Sequence, residues 1–178
     1  MSKGYRDYFK VHSRSSAIPW GRKEHFSATQ AEAAHSDLSS ISHADRVALF
    51  KKILDDKIHG LSFSPYMDGQ SHGTVISQQQ IRSRLGIITP YTRWIRTFSC
   101  IEGNQHTPRI AHENGLKTMV GVGLTDDPAM NEIEFDNAIE IARSGYADIL
   151  AVGNEVLLRG DMSEAKLLDY IQRARQAV

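Results

Sequence analysis

The sequence is short of cysteine, of net charge and of long apolar runs, and each shortage closes off a class of protein. A single cysteine, Cys100, excludes an intramolecular disulfide and any Cys-based zinc cage. The 21 basic and 21 acidic residues cancel. A nucleic-acid footprint needs a basic stripe, so no nucleic-acid partner is expected. No apolar stretch approaches the length of a membrane span, so no membrane partner is expected either. The opening Met1-Ser2-Lys3-Gly4-Tyr5-Arg6-Asp7 is polar, with no apolar h-region after it. At face value the product carries no secretory leader and stays in the cytoplasm.

Catalytic signatures are also scarce. The 8 histidines form no H-E-x-x-H pair and no close ligand spacing, so no metal is expected, and no cofactor. His12, His25, His35 and His43 lie in polar sequence and read as solvated. Gly121-Val122-Gly123-Leu124-Thr125-Asp126 starts like a dinucleotide loop but has Asp where the third glycine belongs. Ser62 and Ser64 form no G-x-S-x-G elbow.

What is present is a repeating unit. Residues 1–40 are polar and aperiodic, with a turn at Pro19-Trp20-Gly21, and read as an extension. From Ile41 the texture changes. Ser42-His43-Ala44-Asp45 is a capping signal, and Val47, Phe50, Ile53 and Leu54 predict a helix to about Asp56. Strands are predicted over 58–64, 92–99, 116–123 and 147–153. Helices are predicted from Ser77 (Ile81, Leu85, Ile88), over 107–114 with a Gly115 stop, and over 131–144 (Ile133, Ala138, Ile141). A last one follows Asp161-Met162-Ser163-Glu164 (Leu167, Leu168, Ile171). Alternating strands and helices give a parallel α/β sheet with right-handed crossovers. The 178 residues fall short of the roughly 250 of an eight-stranded β/α barrel. The prediction is therefore a (β/α)4 half of a TIM-type barrel over 41–178, preceded by the extension 1–40. A small doubly wound α/β domain is the rival fold.

The most informative residues are Asn154-Glu155. They follow the apolar run Ala147-Asp148-Ile149-Leu150-Ala151-Val152, at the C-terminal lip of the fourth strand. In a β/α barrel that lip is where chemistry is done. On position alone the pair is equally a polar strand end running into a helix cap. Asp126 and Asp127, before Pro128, likewise read first as a turn and cap, and Glu102 is a weaker carboxylate candidate. Arg96 lies inside a strand, where arginine usually snorkels or pairs at an edge. Pointing inward, it would instead lower the pKa of a nearby carboxylate. Tyr66, after Pro65, could stack on a sugar face or simply fill the rim.

Several segments occur together in a fixed order: His59-Gly60-Leu61-Ser62-Phe63-Ser64-Pro65-Tyr66, then Gln78 to Leu85, then Pro90-Tyr91-Thr92 with Ile95-Arg96-Thr97-Phe98-Ser99, then Asn114-Gly115-Leu116-Lys117, then Val152-Gly153-Asn154-Glu155-Val156-Leu157-Leu158-Arg159-Gly160. This set resembles glycoside hydrolase family 17, in particular its bacterial branch of β-1,3-glucanases and glucan transglycosylases. The resemblance runs from residue 58 to the C-terminus. It implies a β/α barrel, a β-1,3-glucan substrate and a retaining double displacement. Glu155 takes the acid/base position, Asn154 that of its sugar-binding partner, and Arg96 that of an arginine supporting the catalytic carboxylates. Tyr66 and Asp126 complete the expected substrate-binding set.

In a retaining mechanism a protonated Glu gives its proton to the departing oxygen, and the resulting carboxylate then takes one from water. A second carboxylate, the nucleophile, must stand about 5–5.5 Å away. The family places it on a seventh strand, which this sequence lacks. A non-catalytic glucan-binding module is accordingly the competing reading. Open edge strands also predict a two-fold homodimer that closes the barrel and brings Asp126 of the second copy toward Glu155.

Overall fold

The computed structural model describes residues 40–178. The predicted extension lies outside them, except for its last residue. Ser42 opens helix α1 (His43–Asp55) as its sequence suggests: its hydroxyl accepts from the Asp45 amide at 3.1 Å and donates to the Asp45 carboxylate at 2.7 Å. Residues Val47–Val178 form one compact unit. In chain order this unit contains β1 (Ile58–Ser62), α2 (Gln78–Ile88), β2 (Thr92–Arg96), a single 3-10 turn (Asn104–His106) and α3 (Thr107–Glu113). Then follow β3 (Lys117–Val122), α4 (Pro128–Arg143), β4 (Ile149–Val152), the short α5 (Val156–Arg159) and α6 (Glu164–Ala177).

The four strands pair in the order β1-β2-β3-β4, each pair parallel. This is the architecture of half a TIM-type barrel, and β1 and β4 are its two edges. Arg96 pairs with Ser62 on one side and Met119 on the other, and Gly121 pairs with Ala151. Side chains alternate along a strand. Ile95 packs among Leu85, Ile110 and Leu116 on the helix-covered side, so Arg96 points to the inward side. In the same way Val120 and Val122 sit with Phe135, Ala138 and Tyr170 under α4 and α6, while Met119 and Gly121 face inward. Gly121 is glycine for a steric reason: a Cβ there would lie 2.3 Å from the Thr97 carbonyl oxygen, forcing β2 and β3 apart.

Caps explain the helix boundaries. The Ser77 and Ser163 hydroxyls accept from Gln80 N and Lys166 N, and Asp127 Oδ1 accepts from Ala129 N and Met130 N ahead of Pro128. Gly115 ends α3 with φ 75°.

Four expectations need correction. Ile133 is 50% exposed, and the buried stripe of α4 runs instead through Asn131, Glu134, Phe135 and Ala138, so an acid occupies a core position. In α6 Leu168 is exposed, and Tyr170 and Ala174 carry the buried face. Helix α1 forms, yet Val47, Phe50, Ile53 and Leu54 remain exposed, because no described element covers their face. Strand β2 stops at Arg96, short of Ser99. Thr97 makes one last bond to Met119 O, after which Phe98 and Ser99 leave the ladder to line a cleft.

Candidate active site

The segments leaving the C-terminal ends of all four strands border one cleft of about 390 Å³. That lies at the lower end of the range for small-molecule sites, roughly 300–1,000 Å³. Phe63 and Tyr66 come from the segment after β1, Phe98 and Ser99 from that after β2, Leu124 and Thr125 from that after β3, and Asn154 from that after β4.

Arg96 and Asn154, two strands apart, meet here. The Arg96 Nη2 donates to Asn154 Oδ1 at 2.7 Å, and its guanidinium lies 4.8 Å from the centre of the Phe98 ring. This fixes the amide's orientation, with its NH2 group turned away from Arg96. Arg96 Nε is buried and meets no hydrogen-bonding group, and no carboxylate among the described residues pairs with the guanidinium. The mouth therefore holds a half-buried positive charge that only an amide oxygen contacts.

Asn154 and Glu155 are held by a residue that the sequence reading gave no role. One turn along, Arg159 donates from Nη1 to Asn154 O at 2.6 Å and from Nη2 to Leu124 O at 3.0 Å. Its Nε contacts Asp161 Oδ2 at 2.6 Å. A single guanidinium thus ties the segment after β3 to the one after β4. The only sequence signal was its place five residues beyond Asn154. Glu155 itself has φ 56° and ψ 15°, a left-handed conformation that L-residues seldom adopt. Its side chain is exposed, makes no hydrogen bond, and stands at the rim rather than among the residues lining the cleft.

The other expected residues separate. Tyr66 lines the cleft. Asp126 does not; it lies with Asp161 and Lys166 in a neighbouring depression between the starts of α4 and α6. Asp127 is the cap of α4. Glu102 accepts from Gly73 N at 2.8 Å and closes a loop outside the cleft. No three His, Cys, Asp or Glu side chains among the described residues are arranged to hold a metal ion.

One cleft residue was missed altogether. Glu134 reaches up from α4 and is 2% exposed. It accepts from Ser99 Oγ at 2.5 Å, Cys100 N at 2.6 Å and Gly123 N at 3.4 Å. Burial pushes its carboxyl above the ordinary range, and the three hydrogen bonds pull it back only in part. It thus joins the segments after β2 and β3 beneath the cleft. Burial also holds the neighbouring Cys100 thiol protonated, with Glu134 adding to the effect, so Cys100 is a core residue and not a nucleophile.

Comparison with known proteins places this geometry. Residues 60–178 match the family model of the BtgE/BtgC glycoside hydrolase domain. The fold is similar to the crystal structure of a glycoside hydrolase family 17 β-1,3-glucanosyltransferase from Rhizomucor miehei, with a TM-score of 0.56 and 23% sequence identity. The likeness covers 68% of this chain and 46% of that one, so the chain spans about half the length of the solved structure it matches. No curated protein matches the chain.

Proposed function

The chain belongs to the BtgE/BtgC glycoside hydrolase domain family, and from that premise we propose that its strand-end cleft binds β-1,3-glucan and that Glu155 is the acid/base of a retaining glycosidase or transglycosidase. The Arg96–Asn154 contact carries the reading. An amide fixed through its oxygen by a buried-side guanidinium presents its NH2 group as a donor beside the cleft. A donor fixed in this way suits the sugar 2-hydroxyl, a contact that strengthens as the ring approaches its oxocarbenium-like transition state. Glu155 follows in the chain, its carboxylate free to meet a glycosidic oxygen.

The second carboxylate has no counterpart among the described residues. Asp126 sits in a separate depression and Glu134 is engaged by three donors. The unpaired Arg96 marks where a nucleophile carried by another segment or chain would be received. A second copy of this chain, paired along the open edges of β1 and β4, is one source of the missing wall. Sedimentation at micromolar concentration tests it, and a stable monomer would refute it.

The functional test is turnover of a soluble β-1,3-glucan by the full chain beside its Glu155→Gln variant. The substitution should lower cleavage by at least ~10²-fold, the lower range for loss of a general acid–base. Cleavage unchanged by Glu155→Gln would remove Glu155 from the mechanism. A chain that binds glucan, loses binding on Asn154→Ala and never cleaves would instead fit the non-catalytic reading, which the lone carboxylate favours.

A further inference from the structure

The cleft does not end at Asn154. On the side under β2 its lining changes from apolar to polar, and one group there lacks a partner. Thr107, the first residue of α3, lines the cleft, is 1% exposed, and has a buried hydroxyl oxygen that meets no hydrogen-bonding group of the protein. Leaving a buried hydroxyl unpaired costs about 1–3 kcal/mol. A position of that kind is retained where something else makes the bond. Next to it Asn104, 7% exposed, also lines the cleft. Its Nδ2 donates to Ile101 O at 3.2 Å, while its amide oxygen accepts nothing. The opposite lining is aromatic: Phe63, Tyr66 and Phe98.

We propose that Thr107 and Asn104 form a second sugar-binding subsite, which takes the hydroxyl edge of a further glucosyl unit of the chain bound at Asn154. The unit's apolar ring face lies toward Phe63, Tyr66 and Phe98. The pattern fits a carbohydrate because a pyranose is itself two-sided, with C–H groups on its faces and hydroxyls around its edge. The Thr107 hydroxyl can donate or accept, and the Asn104 oxygen accepts, so a vicinal pair of sugar hydroxyls satisfies both. Glu134 holds the platform: it fixes Ser99 and the Cys100 and Gly123 amides below the polar lining. The proposal rests on the glucan reading of the same cleft and adds to it a length requirement.

The experiment is a calorimetric titration of the full chain with a tetramer of β-1,3-linked glucose, comparing wild type, Thr107→Val, Thr107→Ser and Asn154→Ala. Valine has the shape of threonine without the unpaired hydroxyl. Thr107→Val should therefore melt no lower than wild type, yet bind the tetramer roughly 3- to 10-fold more weakly, the range of one net hydrogen bond. Thr107→Ser should restore the affinity. If Asn154→Ala weakens binding while Thr107→Val does not, the subsite is wrong and the glucan reading stands. A lower melting temperature for Thr107→Val with unchanged affinity makes the hydroxyl purely structural, which also overturns the subsite. No binding of the tetramer by the wild-type chain overturns both.

Discussion

The helix-covered and inward faces of this one sheet are finished to different degrees. On the helix-covered face Ile95, Val120 and Val122 are at most 1% exposed, sealed by Leu85, Ile110 and Phe135. On the inward face Trp94, Arg96 and Met119 are only partly buried and Ile149 is 43% exposed. Strand parity therefore separates two tasks within consecutive residues. Ile95 serves the fold and Arg96 serves the site. The outward face is complete within this chain, whereas the inward face is shaped to be covered by something further.

This contrast can be broken most forcefully by truncation. Leu85→Ala or Ile110→Ala, on the sealed face, should each cost about 2–5 kcal/mol in urea denaturation. Met119→Ala on the inward face should cost less than about 1 kcal/mol, because little of its side chain loses contact. Equal costs would show that the inward face is already covered in solution.

Glu134 sharpens the comparison, since it is a carboxylate on the sealed side. Glu134→Ala strands the buried Cys100 N–H and should cost about 2–4 kcal/mol. Glu134→Gln, which can still accept from that amide, should cost clearly less. The pH dependence follows from the raised carboxyl. The folded form holds its proton to higher pH than the unfolded one. The stability this group contributes is therefore fully present below about pH 4.5 and is lost as pH rises through the raised folded value. Glu134→Gln should flatten that decline; an unaltered profile would assign it to other groups.

The smallest effect belongs to the surface pair joining α4 to α6. Arg173, aided by the Tyr170 hydroxyl, holds the Glu132 carboxyl down to about 2. The Glu132 side chain is 48% exposed, so solvent discounts the pair and Glu132→Gln should cost under about 1 kcal/mol at neutral pH. What it costs should vanish as pH falls from about 4.5 toward 2, where the acid is protonated in both states.

The alternation of strands and helices was legible because buried parallel strands read as continuous apolar runs, as in Met119 to Val122, and because Ser77, Ser163 and Gly115 are strong end signals. Two helix phases were not. Apolar periodicity assigned Ile133 to the core and passed over Glu134, since nothing local distinguishes an acid that will find three donors from one that will face water. Of the site, Asn154-Glu155 could be placed at a strand end from sequence. Their connection to Arg96 is a contact between residues 58 apart, set by how three strands align. Thr107 was illegible for the opposite reason: its significance is a bond the protein does not make.

Glu155 has the backbone of a glycine. Its left-handed φ of 56° costs roughly 1–2 kcal/mol in an L-residue, and the preceding Gly153, at 75°, shows that the turn itself is indifferent to side chains. A chain optimised only to survive heating would carry glycine at position 155. Glu155→Gly is accordingly a substitution that should raise thermal stability, by up to about 1 kcal/mol after the glycine's own entropy is counted, while removing the carboxylate from the cleft's rim. That glutamate persists here is a trade of durability against use, recorded in a single dihedral angle.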